Sequence, residues 1–317
     1  MKLSDAYRLA IETGRKNDPR PVSEVEKALS DAKESYDKMD EEKKQFFDQE
    51  RLWNPYADSR FSFGDGEKDV SKVMWGIDIG TGEVLLADRL NEKGAGIGAV
   101  VAHHPLGLAR TPFPEVMWIQ ADMYHEDGVP INIAESLMGP RVEEVLRGVL
   151  PSNYNQAVDA ARLLDIPIMN IHSPADNCVQ KFLEREFEED PAYRISDIID
   201  HLMKIEEYRQ AAKFNSKPKI VAGSGSNRCG KVVIKMTGGT SGPKEIYQAF
   251  ANAGVGTIIG MHFPESHVEE AKKHHINMVV SGHMASDSLG VNIIADEWQK
   301  NGLEVLPCSG FIRVSRV

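Results

Sequence analysis

From about residue 57 to the end of the 317-residue chain, short apolar runs alternate with amphipathic stretches. VSKVMWGIDIG predicts a buried strand ending near Asp78, GEVLLADRLNEKG a helix stopped by Gly94, and IGAVVAHHP the next strand, which together make a βαβ unit. RVEEVLRGVL and NYNQAVDAARLLDI carry helical spacing, and PIMNIHSPADN repeats the scheme of a short apolar strand running straight into polar residues. Beyond the polar NSKPK, KVVIKM, VGTIIG, NMVVSGHMASD and LEVLPCSG read as strands. GPKEIYQAFANAG, ESHVEEAKKHHI and SLGVNIIADEWQKNG read as the helices between and after them. Strands and helices in alternation define an α/β fold.

Residues 1–56 follow a different pattern. Val22, Val25, Ala28, Leu29 and Ala32 recur at helical spacing after Pro21, and DEEKKQFFDQERLW continues with helix formers. This stretch predicts a charged helical extension with one apolar stripe, a packing appendage or oligomer contact without a catalytic cluster. Residues 178–217, including SDIIDHLMKIEEYRQAAKF, predict a helical connector.

Composition narrows the function classes. The chain is 41% hydrophobic and 27% charged, enough for real cores, and its net charge of -11 argues against direct nucleic-acid binding, which needs a basic face. No signal-peptide core and no run near ~20 apolar residues is present, so a cytoplasmic protein without membrane insertion is expected. Cys178, Cys229 and Cys308 are too scattered for a thiolate zinc site, so histidines and carboxylates must hold any metal.

Three predicted strand ends carry such groups: His103 with His104, His172 with Asp176 in HSPAD, and His283 with Asp287 in HMASD. Open α/β sheets place ligands at strand carboxyl ends, and a His and an Asp four apart on a helical turn share one side. Neighbouring side chains of an extended strand point to opposite faces, so His103 and His104 suit two ions about 3.5–4 Å apart better than one ion. Asp176 or Asp287 would bridge them. This ligand chemistry suits Zn, Mn, Fe or Co. Two such ions against two aspartates and a hydroxide leave about one positive charge, which favours a small anionic substrate. By contrast, His274 and His275 in AKKHHIN fall in the last turn of a helix, where they complement its dipole. Asp78 is expected to order its turn and His262 to be a hydrogen-bonded surface histidine. TGGTSGPKEIYQAF lacks the signatures of nucleotide loops and reads as a tight turn before a helix.

FSFGDGEKDVSKVMWGIDIGTGEVLLADRL, VVAHHPL, NIHSPAD and VSGHMASDSLGVNIIADEWQKNG, taken in order, resemble the successive blocks of the NIF-three-like family (NGG-one-interacting factor three), also called GTP cyclohydrolase 1 type 2. The resemblance spans about residues 57–317. It implies two α/β lobes facing each other across a dinuclear metal site, commonly in a homohexamer. The metal ligands it implies are His103, His104, Asp176, His283 and Asp287. His172 matches a family histidine beside the metals and is expected to transfer protons. The family usually has glutamate at the position of Asp287, and its core pattern has no counterpart to residues 1–56. The expected organisation is therefore a helical extension over 1–56, a first lobe of 57–177 and 278–317, a connector over 178–217, and a second lobe over 218–277. Two readings of function follow. One is a dinuclear hydrolase that uses a metal-bound hydroxide, with cyclohydrolase-type ring opening of GTP or a related nucleotide as the family precedent. The other is a metal-binding scaffold or metal-handling interaction protein without turnover.

Overall fold

The apolar runs become the central strands of two mixed sheets, which a computed structural model describes, with 13 helices, over all residues 1–317. The first sheet has the spatial order β1 (Arg60–Phe63), β4 (Ile168–Asn170), β3 (Val100–Ala102), β2 (Lys72–Gly76) and β9 (Glu304–Cys308). The second has the order β5 (Lys219–Ala222), β8 (Asn277–Val280), β7 (Val255–Gly260) and β6 (Lys231–Lys235). β1 runs antiparallel to β4 and β5 antiparallel to β8, while all other pairs are parallel. Val73, Met74 and Trp75, like Val100, Val101 and Ala102, are wholly buried, because parallel strands are covered on both faces.

The two sheets repeat one scheme. In each, an antiparallel edge strand precedes three parallel strands, and the last of these leads into a long helix opened by His-x-x-x-Asp. Those helices, Ser173–Glu189 and His283–Lys300, pack on each other at Gly290, where a Cβ would lie 2.1 Å from the Ala175 carbonyl oxygen. Gly290→Ala should therefore cost about 2–3 kcal/mol in urea unfolding. An unchanged midpoint would contradict this close approach.

Two boundaries differ from the sequence expectation. Met278, Val279 and Val280, assigned with the first lobe, pair with β7 and β5 in the second sheet. The crossing back to the first sheet is made by the following helix, and β9 then joins β2. The N-terminal segment is also no appendage. Leu3, Ala6, Ala10 and Ile11 of the Leu3–Lys16 helix are fully buried in the core between the long helices, and the Trp298 indole donates to the Ala6 carbonyl at 2.8 Å.

The stripe on the next helix, Val22–Asp37, is weaker than its spacing suggests. Val25 is its one buried residue, and Val22 is 74% exposed. DEEKKQFFDQERLW forms only the single turn Glu41–Lys44 and the 3-10 turn Gln49–Leu52. Asp40 and Asp48 accept from the backbone N–H groups of Lys43 and Glu50, restarting the chain where a continuous helix was expected.

Candidate metal centre

Three strand ends deliver their polar residues to one place. β3 stops at Ala102, and the backbone N–H groups of His103 and His104 donate to the Gly76 and Ile77 carbonyls. His172 caps the Ser173–Glu189 helix, and His283 opens the His283–Lys300 helix, so Asp176 and Asp287 follow one turn later. Beyond the ladder the His103–His104 pair is no longer bound to strand alternation. Both rings turn into the same cluster, against the expectation of opposite faces.

The donor atoms form overlapping groups: His103, Asp176 and Asp287; His104, His283 and Asp287; and His103, His104 and His172. Asp287 Oδ2 lies 3.3 Å from His283 Nε2 and 3.6 Å from His104 Nε2, while its Oδ1 lies 3.8 Å from His103 Nε2. Asp176 Oδ1 is 3.5 Å from His103 Nε2, and its Oδ2 is 3.7 Å from His172 Nε2.

These separations test the fit to a cation. They are long for hydrogen bonds, yet two ligands about 2.1 Å from one ion sit roughly 3.0–3.5 Å apart. His103 Nε2, Asp176 Oδ1 and both oxygens of Asp287 are buried without any hydrogen-bond partner. Such orphaned groups are rare in native proteins because each costs about 1–3 kcal/mol. A cation satisfies them together. The buried His/Asp groups can thus hold a metal ion.

The outer ring nitrogens are already engaged. His103 Nδ1 meets the Ile171 carbonyl at 3.1 Å, His104 Nδ1 meets Asp78 Oδ1 at 2.7 Å, and His172 Nδ1 meets Asp58 Oδ2 at 2.7 Å. With each Nδ1–H donated outward, each Nε2 lone pair faces the cluster, the arrangement that orients histidines toward metals. Asp78 therefore does more than order a turn. Asp58, wholly buried and also accepting from Ser173 Oγ at 2.7 Å, was missed by sequence reasoning. It sits alone in the loop before β1, with no spacing pattern to mark it. The N-terminal residues hold that loop: Tyr7 Oη and the Asn54 amide both donate to the Ser59 carbonyl. Asp78→Ala should lower metal affinity about 10- to 100-fold, read by competition with a chelating dye, with little loss of fold. Affinity equal to wild type would remove Asp78 from the centre.

Without cations the cluster retains protons. Burial raises Asp176, and although His172 opposes this, Asp287 and Asp58 add to it, leaving Asp176 at about 7. Burial lowers His172, but Asp176 and Asp58 outweigh it and bring it up to about 9. His103 is driven well below its ordinary value by burial, so it stays neutral. Burial also lowers His283. Asp287 is held below the usual carboxylate range: burial opposes this, and His103 with its neighbouring histidines prevails.

Both Asp176 and His172 have folded values above their ordinary values of 3.8 and 6.5. Each contributes stability that is complete below its unfolded value and lost as pH rises through about 7 and about 9. The metal-free protein should therefore melt at progressively lower temperature from pH 7 to 9, and a divalent ion should flatten that decline. A melting temperature that rises over this range in chelator would contradict the assignment.

A cleft of about 890 Å³ opens onto the cluster and is lined by His104, His172 and His283. A narrower recess of about 100 Å³ runs from Asp176 and Asp287 between Tyr124, Tyr247 and Phe250. TGGTSG forms the rim of this recess. Gly238 has φ +100°, and a Cβ there would meet the Gln120 side chain at 2.4 Å. Gln120 donates to the Gly238 and Thr240 carbonyls, so the segment is a pinned turn, as expected. His262 is exposed, as expected of a surface histidine, but it has no hydrogen-bond partner within the chain; it lines both cavities, and its ring lies 4.9 Å from that of His283. His274 ends its helix beside Glu270, away from the cluster.

Two mixed sheets with a buried His/Asp cluster at their strand ends define an α/β protein with a candidate metal centre. The chain is similar to a NIF3 superfamily protein from Sphaerobacter thermophilus, whose crystal structure matches with a TM-score of 0.72 at 32% identity, over 80% of this chain and 91% of that one. The chain belongs to the NIF3 superfamily. Reduced HcgD from Methanocaldococcus jannaschii shares the fold, with a TM-score of 0.50 at 14% identity over 78% of this chain and 87% of that one. No family model and no curated protein matches the sequence. No helix is long and apolar enough to cross a membrane.

Proposed function

We propose that this chain is a dinuclear metal-dependent hydrolase acting on a small anionic substrate, with a nucleotide such as GTP as the first candidate. The observation that carries the reading is the position of Asp287. Its Oδ1 is directed to the group of His103 and Asp176, and its Oδ2 to the group of His104 and His283. One carboxylate between two such groups suits a bridge between two ions, and the shorter Asp reaches both sides. Two divalent ions bound there supply Lewis acidity and lower the pKa of a water molecule.

The chain's own residues supply the rest. Asp58 holds the His172 imidazole by Nδ1, leaving Nε2 to take and return a proton at the cluster's edge. Asp78 fixes His104 in the same way. The cleft gives a substrate access to His104, His172 and His283, which favours turnover over a closed, metal-holding scaffold. The test is hydrolysis of GTP and of a phosphodiester by metal-loaded protein, with Asp287→Ala as the control. Activity that the control retains, or none on any substrate despite full metal content, counts against the hydrolase.

A further inference from the structure

The repeated scheme of the two sheets carries an inference about the cleft. Adjacent strands pair at Gly76, Ala102 and Asn170 in the first sheet, and at Lys235, Gly260 and Val280 in the second. Two residues beyond Ala102 stands His104, and two beyond Gly260 stands His262. Two residues beyond Gly76 stands Asp78, and two beyond Lys235 stands Thr237. By strand register His262 is thus the second sheet's counterpart of His104, although the match stops at the third strand, where His172 stands two residues beyond Asn170 and Gly282 two beyond Val280.

The counterpart differs in what holds it. Asp78 locks His104 by Nδ1, whereas Thr237 turns its hydroxyl to Asn177 Oδ1 at 2.6 Å. His262, exposed at the mouth of the cleft, keeps the position without a carboxylate to orient it, has no hydrogen-bond partner in the chain, and joins none of the donor groups. A histidine placed like this is suited to meet a ligand in the cleft and not an ion in the cluster.

The charges of the same cleft point to what that ligand is. Asp78 is engaged by His104, Glu83 by the Gly80 N–H, and Glu144 by Arg141. Arg110, half-buried in the cleft wall, is the one charged side chain there with no hydrogen-bond or ion-pair partner; its guanidinium lies 6.0 Å over the Phe113 ring. Guanidinium groups match oxyanions through paired N–H donors.

We infer that Arg110 and His262 form an oxyanion subsite in the cleft, where they receive the phosphoryl or carboxylate tail of the substrate and orient it over the cluster. This rests on the hydrolase reading for the word substrate, while the subsite itself stands on the cleft. Arg110 supplies charge and the paired donors, and His262 a single ring N–H. The subsite is specific for the tail and indifferent to the group being hydrolysed.

The test is calorimetric titration of the full chain, loaded with its metal and freed of excess ion, with inorganic phosphate and in parallel with acetate. Wild type should bind one of the two, which names the tail. Arg110→Ala and His262→Ala should each weaken that binding about tenfold at unchanged metal content, with Arg110→Lys recovering part of the loss. Binding within twofold of wild type in the double variant would overturn the subsite, as would metal-loaded wild type that binds neither anion. If the chain holds no metal, the hydrolase reading fails separately. Anion binding that still depends on Arg110 and His262 would then support the subsite alone.

Discussion

Asp287→Ala should abolish tight metal binding at both positions together. The side chain is the group common to the two donor sets, and both of its oxygens are buried with no hydrogen-bond partner. Against the effect of burial, the histidines around it hold its carboxyl below the usual range, so its charge also contributes to the metal-free fold above that range, and chelator-treated Asp287→Ala should melt below chelator-treated wild type. Metal should raise the melting temperature of wild type and leave that of the variant unchanged. A purely structural aspartate would also lose stability in chelator but keep its metal response. Atomic emission on the purified variant, beside paired melting curves, separates the two.

The second large effect is expected at His172. His172→Ala should reduce hydrolysis by about 10²- to 10⁴-fold, the usual contribution of a proton-transferring side chain, while ion content stays at the wild-type level. His172 Nε2 faces Asp176 Oδ2 at 3.7 Å and is anchored behind by Asp58, so the ring is held where a proton can be passed. Asp58→Asn, which keeps the shape but weakens the anchor, should produce a smaller fall in turnover at unchanged metal content. If His172→Ala instead loses an ion, the residue is a ligand and the proton-transfer role is wrong.

The cluster was legible in the sequence because its residues come as local patterns. Adjacent histidines after VVA and two His-x-x-x-Asp turns mark three strand ends, two in the first sheet and one in the second, whose polar residues meet in one cluster. Asp58 had no such mark, since its partner His172 lies 114 residues away and only the antiparallel pairing of β1 with β4 brings them together. His262 is the exposed residue its place in a strand-to-helix connection suggests, and only the fold shows that it also lines the cleft.

Strands buried on both faces were readable as continuous apolar runs, whereas the edge strands β1 and β5, four residues each with mixed burial, carry no periodic signal. The Leu3–Lys16 helix shows why spacing alone misjudged the N-terminus. The chosen stripe on Val22–Asp37 is mostly exposed, while the less conspicuous Leu3, Ala6, Ala10 and Ile11 fill the core because Trp298 and the long helices lie over them.

The central claim is two ions on one shared carboxylate, and elemental mass spectrometry of the full chain, purified without chelator or histidine tag, tests it most directly. The account predicts about two divalent ions per chain for wild type and fewer than one for Asp287→Ala. A chain that holds no more than one ion after reconstitution with Zn, Mn and Fe, or a variant that keeps both, would contradict it.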